Sequence, residues 1–83
     1  MQVTIYSTRF CPYCIRAKQL LEHLALDYHE IRVDGHAELR REMTKKANGA
    51  HTVPQIWFGD EHIGGCDELF ARYRQGTLPI NVK

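Results

Sequence analysis

No stretch of this chain stays apolar for the roughly 18 residues that a membrane-spanning helix requires, so no anchor of that kind is expected. Charge of neither sign is in excess: eleven Lys and Arg face ten Asp and Glu, for a formal net charge of +1. So balanced a chain has no global field drawing it to nucleic acid or to an anionic membrane, and any electrostatic role must come from local placement. Repeats, low-complexity tracts and linker-like stretches are missing, and 83 residues make one small domain over 1–83 with a modest core. Cysteine is scarce, and its number, three, is odd, so a closed disulfide framework is not expected. The opening residues Met1-Gln2-Val3-Thr4-Ile5-Tyr6 carry neither the basic segment nor the long apolar core of a secretory signal. A reducing, cytoplasmic setting is the default expectation.

What is present is a sequence of short periodic segments. Val3 to Ser7 alternates β-formers and reads as a strand. Pro12 suits the first turn of a helix that runs to about Leu24, with Cys14, Ala17, Leu20, Leu21 and Leu24 on its apolar face. Leu26 to Val33 is a second strand, and strand–helix–strand implies a right-handed parallel crossover. A second helix spans about His36 to Ala47, apolar at Leu39, Met43 and Ala47, with Arg40, Arg41, Lys45 and Lys46 mostly outside; Asn48-Gly49 stops it. Pro54 to Phe58 and Glu61 to Ile63, joined by Gly59-Asp60, form an antiparallel hairpin. A last helix, Asp67 to about Arg74, buries Leu69, Phe70 and Tyr73 and ends at Gly76, and Leu78 and Ile80 pack the tail down.

The chemistry concentrates in Cys11-Pro12-Tyr13-Cys14. A bridge enclosing two residues restrains the unfolded chain very little, so reactivity explains this pair better than stability does. The attacking species in disulfide exchange is the thiolate, and a free thiol, with a pKa of about 8.5, is mostly protonated at neutral pH. Cys11 falls at the N-cap of the first helix, where unpaired N–H groups and the positive dipole end favour an anion; Arg9 adds positive charge nearby. Cys14 lies one turn inside and faces the apolar side. The expected division is that Cys11 attacks and Cys14 resolves.

Two further segments carry binding chemistry. Val53-Pro54 leads into a strand; a cis bond there would free the Val53 backbone to pair with an extended thiol substrate, although trans is the commoner state of X-Pro bonds. Gly64-Gly65-Cys66-Asp67 allows close approach of a ligand backbone. The helix it opens offers amides to a carboxylate, and Asp67 offers a carboxylate to an ammonium group, so the corner can take a zwitterion. An ordinary turn with an N-capping Asp67 is the alternative. Cys66 reads as a small buried residue, His51 as a solvated loop residue, and Trp57 and Phe58 as sheet packing. Zinc on His62, Cys66 and the Cys11–Cys14 pair is disfavoured, because no second C-x-x-C is present and metal would block the redox pair.

With Cys11-Pro12-Tyr13-Cys14, Thr52-Val53-Pro54 and Gly64-Gly65-Cys66-Asp67 in that order, the chain resembles the glutaredoxin family over almost its whole length. It is similar to the dithiol C-P-Y-C class that includes bacterial glutaredoxin 3. The resemblance implies an α/β thioredoxin fold, a four-stranded mixed sheet of order 2-1-3-4 flanked by three helices, with Val53-Pro54 cis. It implies a glutathione-dependent thiol–disulfide oxidoreductase acting on protein disulfides and glutathionylated proteins, with ribonucleotide reductase a family expectation. It implies a monomer, no metal, and glutathione as reductant. Tyr13 would flank the glutathione sulfur, Thr52 and Val53 would pair with its backbone beside Pro54, and Gly65, Cys66 and Asp67 would take the γ-glutamyl end. Arg41 would meet the glycine carboxylate. Two departures stand out: Thr8 occupies a position where Lys is common, with Arg9 one place later, and Phe10 replaces a common Thr. Phe10 either enlarges an apolar rim for protein substrates or packs the loop. Rival readings are a redoxin reduced by thioredoxin reductase and an iron–sulfur carrier ligated by Cys11 and glutathione in a dimer.

Overall fold

Alternation along the two central strands decides the architecture. In the computed structural model, which describes residues 2–80, the elements are β1 (Val3–Ser7), α1 (Pro12–His23), β2 (Tyr28–Arg32), α2 (Ala37–Lys46), β3 (Gln55–Phe58), β4 (Glu61–Gly64) and α3 (Cys66–Gln75). The sheet order is β2-β1-β3-β4, with β1 and β2 parallel and the β1/β3 and β3/β4 pairs antiparallel. This is the order the resemblance implies.

Successive side chains of a strand point to opposite faces, so a strand buried on both sides feeds two cores. Val3, Ile5, Ile56 and Phe58 meet Ala17 and Leu21 of α1 and Leu69 of α3. Tyr6 and Trp57 turn the other way, onto Val33 and onto Met43 of α2. Leu21, Met43 and Leu69 are fully buried. Each such side chain stabilises the fold by about 1.5–3 kcal/mol relative to exposure.

Differences from the sequence reading have local causes. β2 starts at Tyr28 rather than Leu26 because the Leu26 N–H is used by the end of α1, donating to the Leu21 carbonyl at 3.0 Å. α3 opens at Cys66, with Gly65 as its N-cap, so Asp67 stands inside the first turn and does not cap the helix. Tyr73 is 39 % exposed and is not a core residue, whereas Leu78 is buried and Ile80 packs against the α1–α3 core. Lys46 is not simply solvated: its ammonium lies 4.8 Å from the Trp57 ring centroid and 5.7 Å from that of Tyr6. No helix among the described residues is long and apolar enough to cross a membrane.

Candidate active site

The site forms where β1 ends and α1 begins. Cys11 is the N-cap of α1, in extended conformation, and Pro12 follows in the first turn, where its missing N–H costs no hydrogen bond. The Cys14 backbone N–H donates to Cys11 Sγ at 3.1 Å. This is the geometry that favours charge on that sulfur. Cys11 and Cys14 form a disulfide with their Cα atoms 5.2 Å apart. The two sulfurs are unequally placed: Cys11 is 8 % exposed and Cys14 is 0 % exposed.

Behind the cysteines, β1 is tied to its neighbours by a polar cluster. Ser7, 0 % exposed, donates its hydroxyl to Glu30 on β2, and Lys18 on α1 donates to the same carboxylate oxygen at 2.9 Å. Burial alone would raise the Glu30 carboxyl, but the hydrogen bonds from Ser7 and Lys18 and the charges of Lys18 and Arg32 outweigh it and hold it below the usual range. Thus β1, α1 and β2 are clamped together immediately before the reactive turn.

Beside the disulfide is an open cavity of about 170 Å³. Tyr13 borders it from α1, Thr52-Val53-Pro54 form one wall, and Gly65, Cys66 and Asp67 form the other, joined by Glu68. Val53-Pro54 is cis. Cys11 Sγ lies 3.9 Å from the Val53 carbonyl oxygen, so the Cys11 sulfur and this wall are in contact. The opposite wall is close-built: a Cβ at Gly65 would stand 3.3 Å from the Pro54 carbonyl oxygen, and one at Gly64, whose φ is +117°, would stand 2.9 Å from Glu68 Cγ.

Seven of the residues singled out from sequence therefore meet at one cavity, next to the cysteine pair. Arg9 and Arg41 do not line it. Arg9 is exposed, its guanidinium 5.4 Å from the Phe10 ring centroid. Phe10 is 88 % exposed, so it does not pack the loop. Arg41 is exposed on α2. Arg40, expected among the solvated cations, donates from Nε and Nη2 to the carbonyl of His51, the residue before Thr52, at 3.3 and 3.1 Å.

Glu68 also escaped the sequence reading. Its Oε1 accepts from the Gly65 N–H at 2.7 Å, fixing the turn that closes the wall and placing a second carboxylate beside Asp67. The spacing of helix N-cap to N3 could have revealed it. Cys66 is buried, and burial pushes its thiol up, reinforced by Asp67 and Glu68 and partly opposed by Arg16. Among the described residues no group of three or more His, Cys, Asp or Glu side chains is arranged to hold a metal.

Comparison with known proteins converges on one family. The glutaredoxin family model matches residues 3–63. Similar relatives include a glutaredoxin of Pseudomonas aeruginosa, 58 % identical over 92 % of this chain and 89 % of the relative, and glutaredoxin 3 of Escherichia coli K12, 47 % identical over 98 % and 96 %. Among solved structures, the buckwheat glutaredoxin–glutathione complex superposes with a TM-score of 0.82 at 32 % identity, covering 92 % of this chain and 71 % of that one. The glutaredoxin of Brucella melitensis gives 0.79 at 44 % identity, covering 90 % and 80 %.

Proposed function

The chain belongs to the glutaredoxin family of thiol–disulfide oxidoreductases, and from that premise we propose that Cys11 is its attacking thiol, Cys14 its resolving thiol, and the adjoining cavity its glutathione groove. One observation carries this reading: Cys11 Sγ rests against Val53, and Val53 is part of the cavity wall, so a thiol bonded to Cys11 lies at the mouth of the groove.

The steps follow from position. The Cys11 thiolate attacks one sulfur of a protein disulfide; the new bond forms to Cys11, and the other substrate sulfur leaves as a thiolate that takes a proton from water. Cys14, losing its proton, then attacks Cys11 Sγ and releases the second substrate thiol, which leaves the Cys11–Cys14 disulfide. One glutathione thiolate attacks Cys11 and frees Cys14. A second attacks the glutathione sulfur, releasing oxidised glutathione and restoring the Cys11 thiolate. Two electrons pass from two glutathiones to one disulfide. A glutathionylated substrate needs no Cys14: Cys11 takes the glutathione directly and a second glutathione removes it.

In the groove, Tyr13 flanks the glutathione sulfur, and Thr52 and Val53 pair with the tripeptide backbone beside Pro54. Asp67 receives the γ-glutamyl ammonium, and the first amides of α3 at Gly65 and Cys66 receive its carboxylate. The glycine carboxylate lies toward α2, where Arg41, and now also Arg40, supply positive charge; Arg9 supplies it on the Cys11 side. The protein works as a cytoplasmic monomer, with disulfide-bearing or glutathionylated proteins, ribonucleotide reductase among them, as substrates.

The deciding experiment is glutathione-coupled turnover of a small glutathione mixed disulfide and of a protein disulfide. Cys14→Ser retains the first activity and loses the second, while Cys11→Ser loses both. Glutathione-linked activity surviving in Cys11→Ser would show that the nucleophile lies elsewhere.

A further inference from the structure

Gln55 is an anomaly in a wall of apolar residues. It opens β3, the strand whose other members are Ile56, Trp57 and Phe58, and it is 3 % exposed. Only Ser7 shares its status as a buried polar residue among those described. Burying an amide is costly unless its donors and acceptor are met. Gln55 spends them on two partners: its Nε2 donates to the Thr52 carbonyl at 3.0 Å and lies 3.4 Å from Thr52 Oγ1, while its Oε1 is 2.7 Å from His62 Nε2.

These contacts fix the orientation of every group in the chain. The Thr52 carbonyl can only accept, so the amide nitrogen of Gln55 must face it. Oε1 then faces β4, and the proton between Gln55 and His62 must sit on His62 Nε2. The imidazole in turn is stacked on Trp57, ring centroids 4.6 Å apart and planes 24° apart. Neutral or charged, a ring protonated at Nε2 keeps the bond, so the relay holds across the titration of His62.

The Thr52 end of this relay is a groove residue. From the other side Arg40 holds the preceding carbonyl, that of His51. Two consecutive carbonyls are thus pinned by different elements, and the next residue, Val53, borders both Cys11 and the cavity. We propose that Gln55, backed by His62, is a positioning residue for the glutathione-bearing state: it fixes the Thr52–Val53 backbone at the height where the tripeptide pairs with it. This inference rests on the groove assignment made above.

The test is the equilibrium between Cys11 glutathionylated and free, measured against mixtures of reduced and oxidised glutathione in a Cys14→Ser background. Gln55→Leu, close in size and without polar atoms, lowers the constant for adduct formation about fivefold, the scale of one neutral hydrogen bond. His62→Phe keeps a ring on Trp57, removes the anchor of Gln55 and lowers it about threefold, a fraction of the same bond. It serves as the probe if Gln55→Leu does not fold. The double variant is no worse than Gln55→Leu alone, because both act through one path. In all of them the rate of Cys11 alkylation by iodoacetamide is unchanged, whereas a loosened active-site turn would alter it. Asp67→Asn is the control for the groove. If Asp67→Asn lowers the constant while Gln55→Leu and His62→Phe leave it unmoved, the relay is refuted and the groove stands. If none of the three lowers it, the groove assignment fails and the relay with it.

Discussion

Cys66 borders the same cavity as the reactive turn yet is built to stay out of the chemistry. It is 5 % exposed, and burial raises its thiol, with Asp67 and Glu68 adding to the effect. A protonated, enclosed thiol is a poor nucleophile. Treatment of the reduced native protein with iodoacetamide near neutral pH therefore modifies Cys11 and spares Cys66 until denaturant is added; peptide mass spectrometry reads both sites, and labelling of Cys66 in the native state would refute its inertness. Residue positions set by local chain spacing were legible in the sequence: Cys11 stands at the helix start and Cys14 one turn in. The Arg40 contact with the His51 carbonyl was not, because which helical cation meets the 48–54 loop depends on where that loop packs. The Gln55–His62 contact was missed for the same reason, since it joins two strands whose approach no pattern of polarity reveals, whereas Glu68 had a local signal in its spacing from Gly65.

All three helices end in one way. The Leu26, Gly49 and Thr77 amides donate back to the Leu21, Thr44 and Arg72 carbonyls, and the residue before each donor, Ala25, Asn48 or Gly76, has φ of 57°, 56° or 70°. This is the left-handed helix stop, for which Gly and then Asn are best suited. Asn48 and Gly76 carry the sequence signal for it; Ala25 carries none, and the turn it makes takes up the start of the segment expected as β2. Ala25 is also exposed, so its methyl group contributes little packing. Ala25→Gly relieves a left-handed alanine at the cost of a more flexible unfolded chain, for a net gain of about 0.5–1 kcal/mol. Urea unfolding checks this, and a lower midpoint in the variant would contradict it.

Among the described residues, the His62 imidazole and the part-buried Glu30 carboxylate shape the response to acid; Asp34, held down at about 2 by its hydrogen bond from Arg32, is exposed and adds little. His62 is held below its ordinary 6.5, chiefly by burial, with Glu68 opposing. A histidine kept neutral by the fold adds stability that is lost as pH falls from 6.5 toward its lowered value. Glu30, held below 4.5, adds stability that is lost as pH falls from 4.5 through its own lowered value. Stability against urea should therefore fall in two stages on acidification; His62→Phe flattens the upper stage and Glu30→Gln the lower, and a single unaltered slope in both variants would dismiss the assignment. The sheet order β2-β1-β3-β4 followed from the family resemblance, whereas the element order and the parallel β1–β2 crossover were legible from periodicity and turn residues. The Ser7–Glu30–Lys18 cluster was not, as it joins one strand to a helix and a second strand only once the sheet has formed.

The complete burial of Cys14 beside a slightly open Cys11 makes the molecule a two-electron store with a single terminal. On the proposed roles, charging and discharging both run through Cys11, so oxidant and reductant must take turns at it. The departure of the oxidised partner then becomes the event that admits the next reductant, and tight holding of a substrate protein would slow the cycle it serves.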